Sequence, residues 1–296
     1  MNDGSESDEA RLASSVAAVT LSHYQARESL AARQAGANSV TVSPDLGLTS
    51  VTVTLDADSM VFPTGERLPW AEVERIQRAA NVCFQIIDGK AVEIRRFSDV
   101  TGWTRALMPT GGAPTTLVAG LPMHRIKDID PWADSQTKMT TLAPVSGRIL
   151  DTATGLGYTA ILAARTAEEV VTIELDPAAL EIAAMNPWSR ELFTRPNIRQ
   201  LTGGATEILP TLEDSSFTRI LHDPPMITIA GDLYGEAFYR ELWRVLQRGG
   251  HLFHYIGDPQ SASGRRTTAG VIRRLQSAGF TRVTRRPEAF GVLAQK

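Results

Sequence analysis

The sequence has few of the features that mark secreted or membrane-spanning proteins. Its 296 residues include one cysteine, Cys83, which excludes an intramolecular disulfide and is typical of a buried thiol in a reducing compartment. No apolar run approaches the roughly 20 residues that cross a bilayer. The acidic start from Asp3 to Glu9 lacks the basic and apolar regions of a signal peptide. We therefore expect a cytoplasmic protein with no membrane partner.

Charge of either sign is not in large excess. The chain has 30 Lys and Arg against 33 Asp and Glu, a net charge of -3, so no strong overall field draws it to nucleic acid. Apolar residues make up 43% and charged residues 21%, which is ordinary for a globular protein. The length favours two domains. We predict a disordered tail and helix over 1–36, a small α+β domain over 37–128 and an α/β domain over 129–296.

The predicted small domain is built from short strands. Ser39–Ser43 and Thr49–Leu55 alternate β-branched and polar residues on either side of a turn, which predicts an antiparallel pair. Val82–Ile87 and Ala91–Ile94 flank Asp88-Gly89, the sequence signal for a tight hairpin. No metal-ligand spacing is found there, and we expect no metal.

The most informative stretch is Gly147–Ala164. A short apolar strand leads into Asp151, then a turn with Gly155 and Gly157, and then an apolar helix. Such a turn lets a ligand approach the backbone closely, although α/β proteins also place glycine there for packing alone. Glu174 lies about 20 residues further on, where α/β nucleotide sites hold a carboxylate for ribose hydroxyls. The spacing favours a nucleotide or nucleoside site.

The rest of the chain predicts a doubly wound α/β sheet. Further strands are expected at Val170–Ile173, Ile198–Leu201, Phe217–Leu221 and His251–Ile256. Helices are expected at Pro177–Met185, Glu236–Leu246 (with a stop at Arg248–Gly250) and Thr267–Ala278, followed by an antiparallel edge pair at Phe280–Arg286 and Ala289–Ala294. Ligands bind beyond the carboxyl ends of parallel strands. The predicted strand ends are Asp151, Glu174, Gly203, Asp223 and Gly257.

These motifs, in this order, resemble the class I S-adenosylmethionine-dependent methyltransferases from Gly147 to the C-terminus. The resemblance implies a Rossmann-like methyltransferase sheet and S-adenosyl-L-methionine as cofactor. It also implies that Asp151, Gly155 and Gly157 form the loop on the methionine side, that Glu174 holds the ribose, and that the Asp-Pro-Pro sequence after the fourth strand lies beside the transferred methyl.

Two positions depart from that family. Ala153 stands where the loop commonly has another glycine, and Gly204 stands where an Asp commonly binds the adenine amino group. The adenine would then be read by backbone groups, by Ala205 or by Glu207. The cofactor-binding residues that we expect are Asp151, Thr152, Ala153, Gly155, Gly157, Tyr158, Glu174, Leu175, Gly204 and Ala205.

The Asp-Pro-Pro sequence fits methylation of an amine. Pro224 and Pro225 form a rigid turn whose carbonyls can face a substrate amine, and the Asp223 carboxylate can accept another N–H. This would orient the nitrogen lone pair toward the methyl. A rigid corner without a catalytic role is the alternative interpretation. His254 could accept a proton and is the fourth candidate catalytic residue, although a core histidine is equally consistent with its position.

The expected acceptor-binding residues come from several segments. Amino-directed methyltransferases with a similar tetrapeptide have an aromatic ring where this chain has Met226. Tyr234 could supply a ring, and Tyr255 ends the fifth strand. The segment Leu107–Pro144 predicts ordered loops packed against the catalytic half, and its candidate site residues are His124, Arg125, Lys127 and Asp130. A surface loop with solvated charges is the alternative.

A closer resemblance is to an uncharacterised, mainly archaeal group of predicted methyltransferases, sometimes labelled spermidine-synthase-like. It rests on Asp-Thr-Ala-Thr-Gly-Leu-Gly-Tyr-Thr-Ala-Ile, Pro-Met-His-Arg-Ile-Lys, Asn-Pro-Trp-Ser and His-Asp-Pro-Pro. Three hypotheses follow: a methyltransferase acting on nitrogen of RNA or a small amine, an aminopropyltransferase using decarboxylated cofactor, and a non-catalytic binding module. Expected partners are S-adenosylmethionine and an amine-bearing acceptor, with a homodimer as one option.

Overall fold

The structure, a computed structural model, describes residues 18–227 and 230–296. The predicted disordered tail over 1–9 and the start of the predicted helix at Ala10 lie outside the described residues. The chain forms two compact units: one ends at Pro131 and takes in Ala178–Arg190, and the other comprises Trp132–Pro177 and Glu191–Lys296. No described helix combines the length and the apolar character needed to cross a bilayer.

Up to Pro131, the described part of the first unit contains small antiparallel sheets and two helices, which confirms the predicted α+β class. One described sheet has the order β1-β6-β7, another β2-β3-β4-β5 and a third β11-β10-β9-β8. The strands are β1 (Thr20–Leu21), β2 (Ser39–Val42), β3 (Val51–Leu55), β4 (Ser59–Val61), β5 (Arg67–Pro69), β6 (Phe84–Ile87), β7 (Lys90–Glu93), β8 (Arg95–Phe97), β9 (Thr104–Met108), β10 (Thr115–Val118) and β11 (Leu121–Pro122). The helices are α1 (His23–Gln34) and α2 (Trp70–Arg78).

Local signals explain these boundaries. Ser22 caps α1 by accepting the Tyr24 N–H at 3.3 Å, and Gln25 Oε1 returns a bond to the Ser22 N–H at 2.9 Å, which forms a capping box. Asp88 and Gly89 both have positive φ, 49° and 71°, as the β6–β7 hairpin requires. The apolar sides of the sheets and helices pack into one core that includes Leu21, Val53, Met60, Val73, Ile76 and Phe84.

The segment Leu107–Pro144 is more regular than the expected loops. It includes the hairpin strands β9 and β10, and the helix α3 (Pro131–Leu142). The expectation of loops was wrong because the helix has weak amphipathic patterning and several Thr and Ser residues, so apolar periodicity did not reveal it. Pro131 at its first position and Asp134 in its first turn are the signals that mark a helix start.

The second unit is organised around a seven-stranded sheet in the order β14-β13-β12-β15-β16-β18-β17. Its strands are β12 (Arg148–Asp151), β13 (Glu169–Glu174), β14 (Ile198–Thr202), β15 (Phe217–His222), β16 (Leu246–Tyr255), β17 (Thr281–Arg286) and β18 (Gly291–Gln295). The helices that follow α3 are α4 (Tyr158–Ala163), α5 (Pro177–Ala184), α6 (Arg190–Thr194), α7 (Ala205–Ile208), α8 (Glu236–Val245) and α9 (Ala262–Ser277).

Parallel pairing joins the first five strands of this sheet, and β18 is antiparallel to both β16 and β17. Chain order reverses at β12, which lies between β13 and β15, as the doubly wound prediction required. The central strands are buried because helices cover the sheet, and the resulting core includes Leu150, Val171, Ile220, Leu242, Leu252 and Val271. The predicted doubly wound sheet with its antiparallel edge pair is confirmed.

Two helix boundaries differ from the prediction. Helix α8 ends at Val245 and β16 begins at once, so Arg248–Gly250 lies inside the strand rather than stopping the helix. Gly249 has φ of +77°, a conformation that glycine allows within a strand irregularity. Helix α9 begins at Ala262 rather than Thr267, because Ser261 caps it by accepting the Gly264 N–H at 2.9 Å.

Candidate functional site

The glycine turn after β12 combines one open position and one packed position. Gly155 has φ of +54°, and a Cβ built there would meet nothing within 4 Å. Gly157 has φ of +76°, and its Cβ would lie 2.7 Å from Leu192 Cδ2. Leu192 is itself buried. The second glycine is therefore required for packing, whereas the first leaves the space beside the loop clear.

Hydrogen bonds tie the turn to the strands on both sides of β12. The Thr152 N–H donates to Leu221 O at 3.1 Å in β15, and the Thr154 N–H donates to Ile173 O at 2.9 Å in β13. The Thr154 and Thr172 hydroxyls are also bonded, at 2.7 Å. The loop backbone is consequently fixed before any ligand binds.

The Asp151 side chain is hydrogen-bonded to residues on both sides of the glycine turn. Its Oδ2 accepts the Thr159 hydroxyl at 2.8 Å, and its Oδ1 accepts the Ala153 N–H at 3.3 Å. Burial raises the pKa of Asp151 to about 7, with the hydrogen bonds from Thr159 and Ala153 acting in the opposite direction. The expected cofactor contact of Asp151 stays a prediction, and in this structure the side chain shapes the loop.

Glu174 ends β13 and holds the adjoining backbone. Its Oε2 accepts the Gly155 N–H at 2.9 Å, and its Oε1 accepts the Asp176 N–H at 3.0 Å. A carboxylate after such a strand is the group that α/β nucleotide sites use for ribose hydroxyls. Leu175, the next residue, is 50% exposed and offers an apolar surface beside Glu174.

The end of β14 contributes small residues. Gly203 has φ of +146° and donates its N–H to Glu174 O at 2.8 Å, which joins this turn to β13. Gly204 precedes the short helix α7, where Ala205 is buried. Position 204 itself has no carboxylate, but a Cβ built there would lie 3.6 Å from both Glu207 Oε2 and Thr206 Oγ1, so these two side chains lie beside the turn.

Asp223 follows the last residue of β15, and its carboxylate is held by a buried lysine. Lys138 Nζ donates to Asp223 Oδ2 at 2.6 Å and lies 2.8 Å from Asp134 Oδ2. The Lys138 and Asp134 side chains are 2% and 0% exposed, and that of Asp223 is 20% exposed. Within 18–227 and 230–296, no other hydrogen bond reaches the Asp223 side chain. Its Oδ1 can therefore accept a hydrogen bond from a bound molecule.

The charges of this group depend on one another. Burial raises the pKa of Asp223, and the nearby Lys138 ammonium opposes that rise. Burial alone would lower the pKa of Lys138, but the Asp223 and Asp134 carboxylates together raise it above its ordinary value. Lys138 is therefore charged across the neutral pH range.

His222 connects the glycine turn to the loop beyond Asp223. Its Nδ1 lies 2.6 Å from the Thr152 hydroxyl and its Nε2 lies 2.9 Å from Leu233 O. A carbonyl only accepts, so Nε2 carries the proton and the Thr152 hydroxyl donates to Nδ1. Burial lowers the pKa of His222 to about 3, which keeps the ring neutral. As the strand alternation predicts, it packs beneath the site.

The candidate residues His254 and Tyr234 both lie in the core. His254 is fully buried, its Nε2 is 2.9 Å from the Tyr239 hydroxyl, and burial lowers its pKa well below the ordinary value. The alternative interpretation of a core histidine fits this position, and its catalytic role stays a prediction. Tyr234 is 3% exposed and donates its hydroxyl to Pro225 O at 3.1 Å. Its ring faces neighbouring side chains rather than an open acceptor face.

The other predicted acceptor residues divide between the two units. In the second, Met226 is 51% exposed directly after the buried Pro224 and the partly buried Pro225, and Tyr255 ends β16. In the first, His124 Nδ1 lies 2.9 Å from the Thr115 hydroxyl, and Arg125 follows it. The acceptor roles of all these residues stay predictions.

Sequence reasoning missed Lys138 and Asp134. Both lie on α3, in a segment that was expected to form loops. Their i,i+4 spacing places them on one face of a helix, and the Pro131 start signal would have revealed that helix. The contact of Lys138 with Asp223 joins residues 85 positions apart and has no local signal.

Comparison with known protein families identifies the central part of the second unit. Residues 150–254 match a family described as the methyltransferase domain. Those residues form a methyltransferase domain. That domain implies S-adenosylmethionine as its cofactor.

An uncharacterized protein of Methanocaldococcus jannaschii is 44% identical over 185 residues, which is 62% of this chain and 64% of the relative. The chain thus spans less than two thirds of that relative's length. The match confirms the expected resemblance to an uncharacterised archaeal protein.

Solved structures of spermidine synthases share the fold of about two thirds of this chain. One, in complex with a transition state analogue, aligns with a TM-score of 0.55 at 20% identity over 68% of this chain and 71% of its own. A second, from Thermotoga maritima, aligns with a TM-score of 0.53 at 19% identity over 68% and 70%. At these identities the likeness concerns the fold alone.

The residues of the methyltransferase domain fit S-adenosylmethionine. Gly155 leaves space beside the loop that a Cβ would fill, the Glu174 carboxylate lies against that loop, and Leu175 offers an exposed apolar side chain. A nucleoside with a polar ribose and a flat adenine is compatible with this donor and acceptor set.

Alanine substitution of the two loop glycines should affect different properties, mainly stability at Gly157 and mainly cofactor affinity at Gly155. Both substitutions place a non-glycine residue at positive φ, which costs about 1–2 kcal/mol. Gly157→Ala should lose further stability because Leu192 must move, whereas Gly155→Ala should mainly weaken S-adenosylmethionine binding because its methyl enters the open space. Urea unfolding and calorimetric titration of each variant measure the two effects. Equal losses of stability together with equal affinities would contradict this assignment.

Asp151→Asn should change how stability depends on pH. The folded-state pKa of Asp151, about 7, is above its unfolded value near 3.8. Its stabilising contribution is therefore fully present below about pH 4 and is lost as pH rises through 7. Relative to the variant, the wild-type protein should lose up to about 1.4 kcal/mol of unfolding free energy per pH unit in that window. Urea unfolding between pH 4 and 8 tests this, and a constant difference would refute it.

Proposed function

We propose that this protein is an S-adenosylmethionine-dependent methyltransferase that transfers the methyl group to a nitrogen of its acceptor. The observation that carries the proposal is the position of Asp223. Its partly exposed carboxylate follows β15, next to the strand that ends in the glycine turn, and one of its oxygens is open. A hydrogen-bond acceptor at that strand end is suited to an N–H donor.

The structure supports an orienting role for this segment. When bound, S-adenosylmethionine supplies a methyl group already activated on a sulfonium, so the protein contributes mainly position and electrostatics. Asp223 Oδ1 would accept one N–H of the acceptor amine and direct its lone pair. Pro224 and Pro225 restrict the backbone here, and the Tyr234 hydroxyl holds Pro225 O at 3.1 Å.

A proton must leave the nitrogen once the new C–N bond has formed. Asp223 would contact that N–H directly, which makes it the nearest described acceptor for the proton. Because burial raises the pKa of Asp223, the carboxylate is more basic than an exposed one. His222 and His254 are buried and hydrogen-bonded in the core, so this step does not require them.

The charge and exposure of the segment restrict the acceptor. Lys138 carries one positive charge against the two negative charges of Asp134 and Asp223, so the cluster has a net negative charge. That charge favours an amine over a phosphate group close to Asp223. Met226 and Ile227, 51% and 36% exposed, offer apolar contact beside it. These features favour a small amine over RNA at the point of transfer.

We also keep the expectations of a cytoplasmic location and of a homodimer as one option. The single cysteine, which is buried, supports the first because an oxidising compartment commonly selects for disulfides. The non-catalytic alternative has less support, because a module that only binds would not need a buried lysine held against Asp223.

Calorimetric titration tests the cofactor assignment. S-adenosylmethionine and its demethylated product should bind the wild-type chain with micromolar affinity. Glu174→Gln should weaken binding by about tenfold or more, since an amide accepts fewer hydroxyl bonds than a carboxylate. Glu168→Gln is a matched control at an exposed position before the opposite end of β13 and should have no effect. No binding to the wild type would refute the proposal, and much tighter binding of the decarboxylated form would favour aminopropyl transfer.

Asp223→Asn should separate binding from transfer. The variant should keep its affinity for S-adenosylmethionine, because the loop contacts of Glu174 and Gly155 do not involve Asp223. Transfer of tritiated methyl to a small-amine fraction of a cell extract should fall by about 100-fold or more, since the amide accepts weakly and takes no proton. A variant that loses cofactor binding but transfers normally would contradict the role of Asp223.

A further inference from the structure

Lys138 is a buried ammonium shared by two carboxylates. Its side chain is 2% exposed, and its Nζ lies 2.6 Å from Asp223 Oδ2 and 2.8 Å from Asp134 Oδ2. Lysine is rarely buried to this extent, because removing its charge from water is costly unless partners compensate. Replacing such a group by apolar side chains would often stabilise a protein, so its presence needs an explanation beyond stability.

The lysine joins three elements at the edge of the methyltransferase domain. It comes from α3, contacts Asp223 after β15, and places its ammonium 4.4 Å from the ring centroid of Tyr255 at the end of β16. A cation over an aromatic face is attracted to the ring. Asp134, one helical turn earlier on α3, holds the ammonium from behind. Lys138 is thereby fixed in direction as well as in position.

This arrangement acts on one oxygen of Asp223. Lys138 occupies Oδ2, and within the described part of the chain no hydrogen bond reaches Oδ1. A carboxylate with one oxygen fixed cannot rotate freely about its Cβ–Cγ bond. The open oxygen therefore keeps a constant direction, and the Asp223 side chain is 20% exposed.

We propose that Lys138 is a positioning residue for methyl transfer: it fixes the Asp223 carboxylate in its ionised form with Oδ1 directed toward the acceptor nitrogen, and Asp134 holds Lys138 in place. This inference rests on the proposed function, because the direction of Oδ1 matters for transfer only if Asp223 receives the acceptor. Lys138 itself contacts neither acceptor nor cofactor in this proposal.

Other ionisable groups face Asp223 from the elements around it. Asp134 and Lys138 come from α3, Asp151 from the end of β12, Tyr234 from the turn before α8, and Tyr255 from β16. Asp151 and Tyr234 each have a pKa raised mainly by burial and further by the Asp223 charge. Among these groups Lys138 alone is cationic, so its removal should favour protonation of Asp223.

The test measures the ionisation of Asp223 directly in the full chain labelled with [13Cγ]aspartate. The Asp223 signal is identified by its absence in Asp223→Asn. In Lys138→Met, which conserves volume but removes the charge, the Asp223 titration should move upward by about one pH unit or more. In Asp134→Asn, which removes a like charge, it should move downward. Lys138→Arg should stay near the wild type.

Opposite shifts in the two variants are the expected result of the charge coupling on which the proposal depends, and the transfer profile then separates a positioning role from a structural one. An unchanged Asp223 titration in Lys138→Met, or shifts of the same sign in both variants, would overturn it. Should Lys138→Met fail to fold, the double variant Lys138→Met, Asp134→Asn retains the wild-type net charge of the cluster. The Asp223 titration of the double variant should still lie above that of the wild type, because Lys138 is in direct contact with Asp223.

Transfer measurements connect this ionisation to the reaction. Lys138→Met should bind S-adenosylmethionine within about threefold of the wild type, while the acid limb of its tritium-transfer profile moves upward together with the Asp223 titration. A shifted titration with an unshifted transfer profile would overturn the positioning role. Failure of the wild type to bind S-adenosylmethionine would instead refute the proposed function, and the carboxyl titration would remain interpretable by itself.

Discussion

The parallel pairing of β12 with both β13 and β15 is the constraint on which the whole candidate site depends. It aligns Asp151 with Thr172 on one side and with Leu221 on the other, so the three strands end at the same edge. A turn follows each of the three strands at this edge. Strand register therefore brings residues from distant parts of the chain close together, and side-chain contacts then fix their exact positions.

Two kinds of polar contact stabilise that edge, and they respond differently to the surroundings. One contact near the glycine turn is neutral, since His222 joins Thr152 to Leu233 O without carrying charge. Ionic contacts dominate around Asp223, where Lys138 is held between carboxylates. Neutral bonds tolerate burial at little cost, whereas the ionic group requires every partner to be present. The ionic group thus fixes the charge and position of the Asp223 carboxylate only while Lys138 and Asp134 are both present.

Much of the second unit was predictable because its signals are local. Apolar strands, the glycines at 155 and 157 and the carboxylates at strand ends each lie within a few residues of the turn they form. The order of the strands followed from the doubly wound pattern that such a series favours. The residues at the strand ends could therefore be named before their geometry was known.

The remaining features depend on information that local patterns do not contain. Helix α3 presents Thr, Ser and Gln among few apolar residues, so its periodicity was weak although tertiary contacts stabilise it. The contact of Lys138 with Asp223 spans 85 residues and depends on the final packing. The burial of Tyr234 and His254 was equally hidden, because a loop ring and a strand histidine have the same sequence appearance whether they face solvent or the core.

Two hydrogen bonds anchor the segment that follows Asp223, one at Pro225 and one at Tyr234. Pro225 O receives the Tyr234 hydroxyl, and Tyr234 O receives Arg274 Nε at 2.8 Å from α9. Met226 and Ile227, in contrast, project outward and are exposed. Substitutions at these two positions would leave the anchoring bonds intact. Under the proposed function, related proteins could therefore diverge in acceptor preference through changes at these two exposed positions, without loss of the anchoring bonds.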